Sequence, residues 1–178
     1  MAPYDIRLIG DPVLKRRATE VTDVDGDLAK LVEDMVVTMS EAPGVGLAAP
    51  QVGVPKRLFV YDLHDETGPH AIVNPVIAEA RGEWLYEEGC LSVPDLAWDI
   101  VRPDEIHLTG FDLDGNEVSI EASGYEGRVF QHELDHLDGI LLLERLDADQ
   151  VRHARRAVRE MMMQRSPASP SNAGLSFR

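Results

Sequence analysis

The sequence predicts an α+β fold, a single domain over residues 1–165 with strands in the middle and helices around them, then a mobile tail over residues 166–178. Three observations predict it. Apolar residues recur at three-and-four spacing before residue 42 and again after residue 146, the period of helices with one buried face. Between those stretches lie short strand-like runs separated by turn residues. Among them, Asp114-Gly115 is a strong hairpin signal, because a two-residue turn requires positive φ and these residues tolerate it.

The elements follow in order. Asp11-Pro12 starts a short helix, since proline at the first helical position loses no useful donor. Residues 27–41 place Leu28, Leu31, Val32, Met35 and Met39 on one helical face, and Pro43-Gly44 ends that helix. Residues 57–62 (RLFVYD), 71–80 around Asn74-Pro75, 83–87, 106–113 and 117–121 are expected strands. Ser123 and Glu126 spell a capping box for a helix that runs to about Asp138 and stops at Gly139. A short apolar strand is expected at 140–143. Asp147 then caps a final helix with Val151, Ala154, Val158, Met161 and Met162 inward. The segment SPASPSNAGLSFR is too polar and Pro-rich to pack.

At 178 residues the chain can bury one core and is short for two. No apolar run reaches the roughly 20 residues of a membrane helix, and the first residues lack a signal-peptide core. Cys90 is the lone cysteine, so no internal disulfide forms; a reducing, cytoplasmic setting is expected, with the thiol free for chemistry. The net charge of −15 repels phosphate backbones, which argues against specific DNA binding. Against this background, Arg152, Arg155, Arg156, Arg159 and Arg165 fall within fourteen residues. They form either a solvated helix face or a docking surface for an anion.

The segment His132-Glu133-Leu134-Asp135-His136 carries the most chemistry. Residues four apart share a helix face, so both imidazoles reach one ion, and Glu133, about 100° around the helix, can approach a water on it. A catalytic ion needs a third protein ligand. Two residues compete: Glu160, 24 residues after His136 as in a zinc endopeptidase, and Cys90, whose thiolate is a strong ligand but which taken alone reads as a small hydrophobe. A closed structural metal site in a non-catalytic interaction protein is a further reading, although such a site has no need of Glu133.

Three segments together resemble the signature motifs of peptide deformylases, in their order and spacing: Gly44-Val45-Gly46-Leu47-Ala48-Ala49-Pro50-Gln51, Glu88-Gly89-Cys90-Leu91-Ser92, and Gln131-His132-Glu133-Leu134-Asp135-His136-Leu137-Asp138-Gly139. The resemblance runs from about residue 6 to about residue 163. It implies that Cys90, His132 and His136 hold one divalent metal ion with water in the fourth position, and that Glu133 is the general acid/base. It further implies that the Gln51 side chain and the Leu91 N–H hold the oxyanion, and that Val45, Gly46, Gly89, Tyr125 and Val129 receive the substrate. The implied substrate is an N-formylmethionyl peptide of a nascent chain, the ion Fe²⁺, with Zn²⁺, Ni²⁺ or Co²⁺ accepted. The implied fold has small antiparallel sheets around the HExxH helix and a C-terminal helix packed outside. Glu88 and Arg102 are expected to pair behind the Cys90 loop and Gln131 to act as a buried support, while Trp98, in the loop after Cys90, either covers substrate or, as is commoner for Trp, simply packs. Arg128 is expected to line the pocket with its stem and leave its charge at the mouth. The basic last helix makes transient ribosome contact an expectation.

Overall fold

The computed structural model describes residues 2–165, so the expected tail at 166–178 lies outside the described residues. A five-stranded antiparallel sheet runs in the order β1-β2-β3-β6-β7, built from β1 (Gly46–Ala48), β2 (Leu58–Tyr61), β3 (His70–Arg81), β6 (Glu105–Phe111) and β7 (Glu117–Ser123). A separate hairpin pairs β4 (Trp84–Cys90) with β5 (Val93–Arg102). The helices are α1 (Gly26–Glu41), α2 (Gly124–Leu137) and α3 (Ala148–Arg165), the last mostly exposed. The expected α+β arrangement is therefore present.

The continuous apolar run of β2 has a simple cause: both its faces are covered. Phe59 and Tyr61 pack with Phe130, Val129 and Leu137 of α2, while Leu58 and Val60 pack with Leu28, Met35 and Met39 of α1. Alternation along the strand thus feeds two cores at once. Burial of Phe59 or Phe130, each wholly inaccessible, stabilises by roughly 1.5–3 kcal/mol.

Asn74-Pro75 interrupts β3 without ending it. The register slips between Val73 and Val76, Asn74 takes φ +50°, and its side chain holds both the N–H and the carbonyl of Val21 (2.9 and 2.8 Å). Proline is tolerated inside a sheet at such a bulge.

Four local expectations need correction. Residues 93–102 form strand β5, which the turn-like Pro94-Asp95 conceals; Trp98 lies on it opposite Glu88, packed near Cys90 and α3 rather than over substrate. Residues 140–143 form no strand; a 3-10 turn spans Leu142–Arg145, because four apolar residues without a neighbouring strand bury only Leu142 fully. The capping box at Ser123 is not made, and α2 is entered through Gly124 at φ +56°, whose N–H donates to the Asp104 carbonyl (3.0 Å). Met162 turns outward on α3, where Ala154 and Met161 are the buried positions. Other signals stand: Asp11 accepts from Val13 N–H (3.0 Å), Asp147 from Gln150 N–H (2.8 Å), and Gly139 takes φ +71° just past α2. Among the described residues no helix is long and apolar enough to cross a membrane.

Candidate active site

Helix α2 projects His132, Glu133 and His136 toward the end of β4, where Cys90 sits. One ligand atom from each of Cys90, His132 and His136 lies within 4.8 Å of the others. Cys90 Sγ is 3.2 Å from His136 Nε2, and the two imidazole rings meet edge-on at 5.1 Å. Glu160 lies outside this cluster, exposed on α3 and paired with Arg156 (2.9 Å). Strand pairing in the hairpin brings Cys90 to α2 from more than forty residues away.

The carboxylate of Glu88 orients the first histidine. Its Oε2 lies 3.1 Å from His132 Nδ1, which leaves Nε2 free to meet an ion. Glu88 itself is buried and receives Arg102 Nε (2.7 Å) and Nη2 (3.0 Å), as expected of that pair, and also Arg128 Nη1 (2.7 Å). Burial pushes its carboxyl up, but His132 and Arg102 win and hold it well below the usual carboxylate range. The Arg128 charge does not reach the mouth. Its guanidinium is buried, donates to the carbonyls of Ile100 and Trp84, and lies 4.9 Å over the Trp84 ring. Three acceptors and an aromatic face outcompete water for it.

Cys90 and His132 shift each other in opposite directions. Burial pushes the thiol up, yet the adjacent His136 and His132 hold it well below its ordinary value. Burial likewise lowers His132, but Cys90 and Glu88 raise it well above the ordinary imidazole. Glu133 is pushed up to about 7, first by burial, with His132 and His136 opposing. Its Oε2 is buried without a hydrogen-bond partner, an arrangement that suits a group poised to take and return a proton.

A cleft of about 620 Å³ opens over these groups. Val45, Gly46, Gly89, Leu91, Tyr125 and Val129, all expected from sequence, line it with Gln51, His132 and Glu133. Gly46 is required here, because a Cβ would stand 2.8 Å from the Glu133 carboxyl carbon. Gln51 is 1% exposed; its Oε1 accepts from Ala48 N–H (2.8 Å), which aims Nε2 at Ser92 Oγ (3.1 Å) and Cys90 Sγ (3.8 Å). Gln131 supports α2 by donating to the Pro103 carbonyl (2.9 Å). Two contributors were missed. Tyr86 walls the cleft and meets Tyr125 edge-on at 5.9 Å; the alternation Trp84, Tyr86, Glu88 on one strand face was the available signal. Ser92 is wholly buried, accepts from Gln51 and donates its N–H to Cys90 Sγ (3.4 Å); its place at the end of the Glu88–Ser92 segment was the available signal.

Known proteins resemble this chain over most of its length. The family model described as polypeptide deformylase matches residues 3–152. A peptide deformylase of Parafrankia sp. (strain EAN1pec) is 47% identical over 169 residues, 94% of this chain and 91% of that protein. The crystal structure of peptide deformylase from Thermus thermophilus is 44% identical and superposes with a TM-score of 0.85, covering 90% of this chain and 96% of the other. That of Ehrlichia chaffeensis in complex with actinonin is 36% identical, with a TM-score of 0.86 over 94% of this chain and all of the other.

Proposed function

The chain belongs to the polypeptide deformylase family, metal-dependent hydrolases that remove the N-formyl group from N-terminal methionine, and on that premise we propose which residues do the work. Cys90, His132 and His136 would hold one divalent cation, and Glu133 moves the protons. The observation that carries this reading is the convergence of the three donors beside a buried carboxylate oxygen without a partner, on the floor of the cleft.

The donor set fits the ion. A thiolate and two imidazoles would give a divalent cation the three protein ligands that a catalytic site uses, and Glu88 would secure the His132 tautomer that binding requires. By softness this set accepts Fe²⁺, Zn²⁺, Ni²⁺ or Co²⁺, and we assign Fe²⁺ as the ion used in the cell. When bound, the cation polarises the formyl carbonyl and acidifies a water.

The protein's own groups do the rest. Glu133 takes a proton from the attacking water as the C–O bond forms. The Gln51 amide and the Leu91 N–H stabilise the oxyanion, a task for neutral donors that bind no competing anion. Glu133 then returns the proton to the amine nitrogen as the C–N bond breaks, releasing formate and a free N-terminus. Val45, Tyr86, Tyr125 and Val129 enclose the methionine side chain, while Gly46 and Gly89 let an extended peptide lie close. A formyl group carries only hydrogen on its carbonyl carbon, so a narrow floor admits it and excludes larger acyl groups.

Formate release from formyl-Met-Ala-Ser by anaerobically prepared, Fe²⁺-loaded protein tests the assignment. Turnover is expected in the parent, and Cys90→Ser is expected to lose both the ion and turnover. A Cys90→Ser variant that keeps its ion and its rate would sink the ligand set. The Fe²⁺ form is also expected to lose activity within a purification in air without reductant, since Fe²⁺ beside a thiolate oxidises readily; undiminished turnover would contradict the choice of iron.

We place the reaction in the cytoplasm on nascent chains. Arg152, Arg155, Arg156 and Arg159 are all exposed on α3 and give an otherwise acidic protein one cationic face toward ribosomal RNA. Reversal of Arg152, Arg155 and Arg156 to Glu is expected to reduce co-pelleting with ribosomes severalfold while peptide turnover is retained. Equal pelleting would remove the contact.

A further inference from the structure

An unbroken line of charged hydrogen bonds runs from the partly exposed base of α3 to His132. Arg145 ends the 3-10 turn before α3, and its side chain is 41% exposed. It grips Asp135 with two nitrogens, Nε to Oδ2 at 2.9 Å and Nη2 to Oδ1. Asp135 Oδ2 also accepts from Arg102 Nη1 (2.7 Å). Arg102 gives its two remaining nitrogens to Glu88, whose Oε2 faces His132 Nδ1. From this we infer that Arg145 is a positioning residue for deformylation: through Asp135, Arg102 and Glu88 it sets the orientation of the His132 ring. The inference rests on His132 being a metal ligand.

The physical case lies in how few partners each group has. Arg102 and Arg145 are the side-chain partners of Asp135 among the described residues, and Arg145 supplies both bonds that fix the rotation of its carboxylate. Without Arg145, Oδ1 is left in a poorly hydrated place with no donor, and the carboxylate turns toward water. Arg102 Nη1 then loses its anchor. The same rigid guanidinium plane that carries Nη1 carries Nε and Nη2, so a tilt there is passed to the plane of Glu88. Glu88 fixes which His132 nitrogen is free and where it points, so the ring loosens. The fold is expected to survive the loss of Arg145 itself, since α2 is anchored by the buried Phe130 and Leu137. The same stretch also braces the other side of the centre: Leu142, Val158 and Met161 pack in one cluster with Cys90, Val93 and Ile100.

The test uses Co²⁺ as probe on the full chain, with Arg145→Gln, Arg145→Lys, His136→Ala and a control, Lys15→Gln. Lys15 pairs with Glu144 on the same segment (2.6 Å), is exposed, and lies outside the line. Arg145→Gln is expected to weaken Co²⁺ about tenfold in chelator competition, the lower end of what losing an outer partner of a metal ligand costs. Its Co²⁺ visible bands are expected to shift, and kcat to fall with KM unchanged. Arg145→Lys should recover part of each change, and Lys15→Gln should match the parent. An exposed ion pair of purely structural value would lower the melting temperature slightly and leave the Co²⁺ spectrum alone. Parent-like affinity and spectrum in Arg145→Gln, with binding lost in His136→Ala, overturn the role of Arg145 alone. Parent-like binding in His136→Ala overturns the ligand assignment itself.

Discussion

Glu133→Gln is expected to lower kcat for formyl-Met-Ala-Ser by roughly 10²- to 10⁴-fold and, in the metal-free protein, to raise stability at pH 8. The first effect is the usual size of a lost general acid/base. The second follows from burial. The Glu133 carboxyl sits at about 7 in the folded protein, pushed up first by burial, against 4.5 for the ordinary group. A raised folded value means that stability is fully present below pH 4.5 and is lost as pH rises through 7. Complete ionisation therefore costs the metal-free fold about 3 kcal/mol, at ~1.4 kcal/mol per unit. Glutamine keeps the shape and removes the charge. Urea denaturation at pH 5 and pH 8 should show the variant gaining over the parent only at the higher pH. A variant with the same pH slope as the parent would mean that Glu133 is better solvated than its 4% exposure indicates.

Arg102→Met is expected to destabilise the metal-free protein by about 3–5 kcal/mol at pH 7, the cost of breaking a buried ion pair from one side. Arg102 is 5% exposed and carries two bonds to Glu88 and one to Asp135, so its loss removes three charged bonds from two carboxylates that water barely reaches, leaving Glu88 to Arg128 and His132 and Asp135 to Arg145. Glu88 is held well below the ordinary carboxylate, so its contribution is present above pH 4.5 and fades as pH falls through its lowered folded value. The deficit of the variant should accordingly narrow in acid, where the under-compensated carboxylates take protons. At roughly 2–4 °C per kcal/mol for a chain of this size, thermal melts at pH 7 should drop by about 10 °C. A loss below about 1 kcal/mol would mean that the pair behaves as an exposed one.

Much of this molecule is readable along the chain because the signals are local. The face of α1, the caps at Asp11 and Asp147, the Gly139 stop and the pairing of His132 with His136 across one helical turn all depend on residues close to each other in sequence. The three segments shared with deformylases pointed to Cys90 rather than Glu160 as the proposed third ligand, where spacing alone left both open, and the fold sets Cys90 beside the histidines. Local signals also misled. Four apolar residues at 140–143 read as a strand although nothing lies beside them to pair with, and Ser123-x-x-Glu126 reads as a capping box whose side-chain bond is not made.

The sequence by itself determined the α+β class, both amphipathic helices and the His132, Glu133 and His136 half of the site, because helical periodicity places those side chains without any distant partner. Only the tertiary structure decided the rest. Pairing of β4 with β5 brings Cys90 to α2, two covered faces make β2 wholly apolar, and Arg128 turns inward because Glu88, two carbonyls and Trp84 surround it. Arg145, Asp135, Arg102 and Glu88 join into one line for the same reason: a buried charge must find its counter-charge in space, and the partners that satisfy it lie 10 to 33 positions away in sequence.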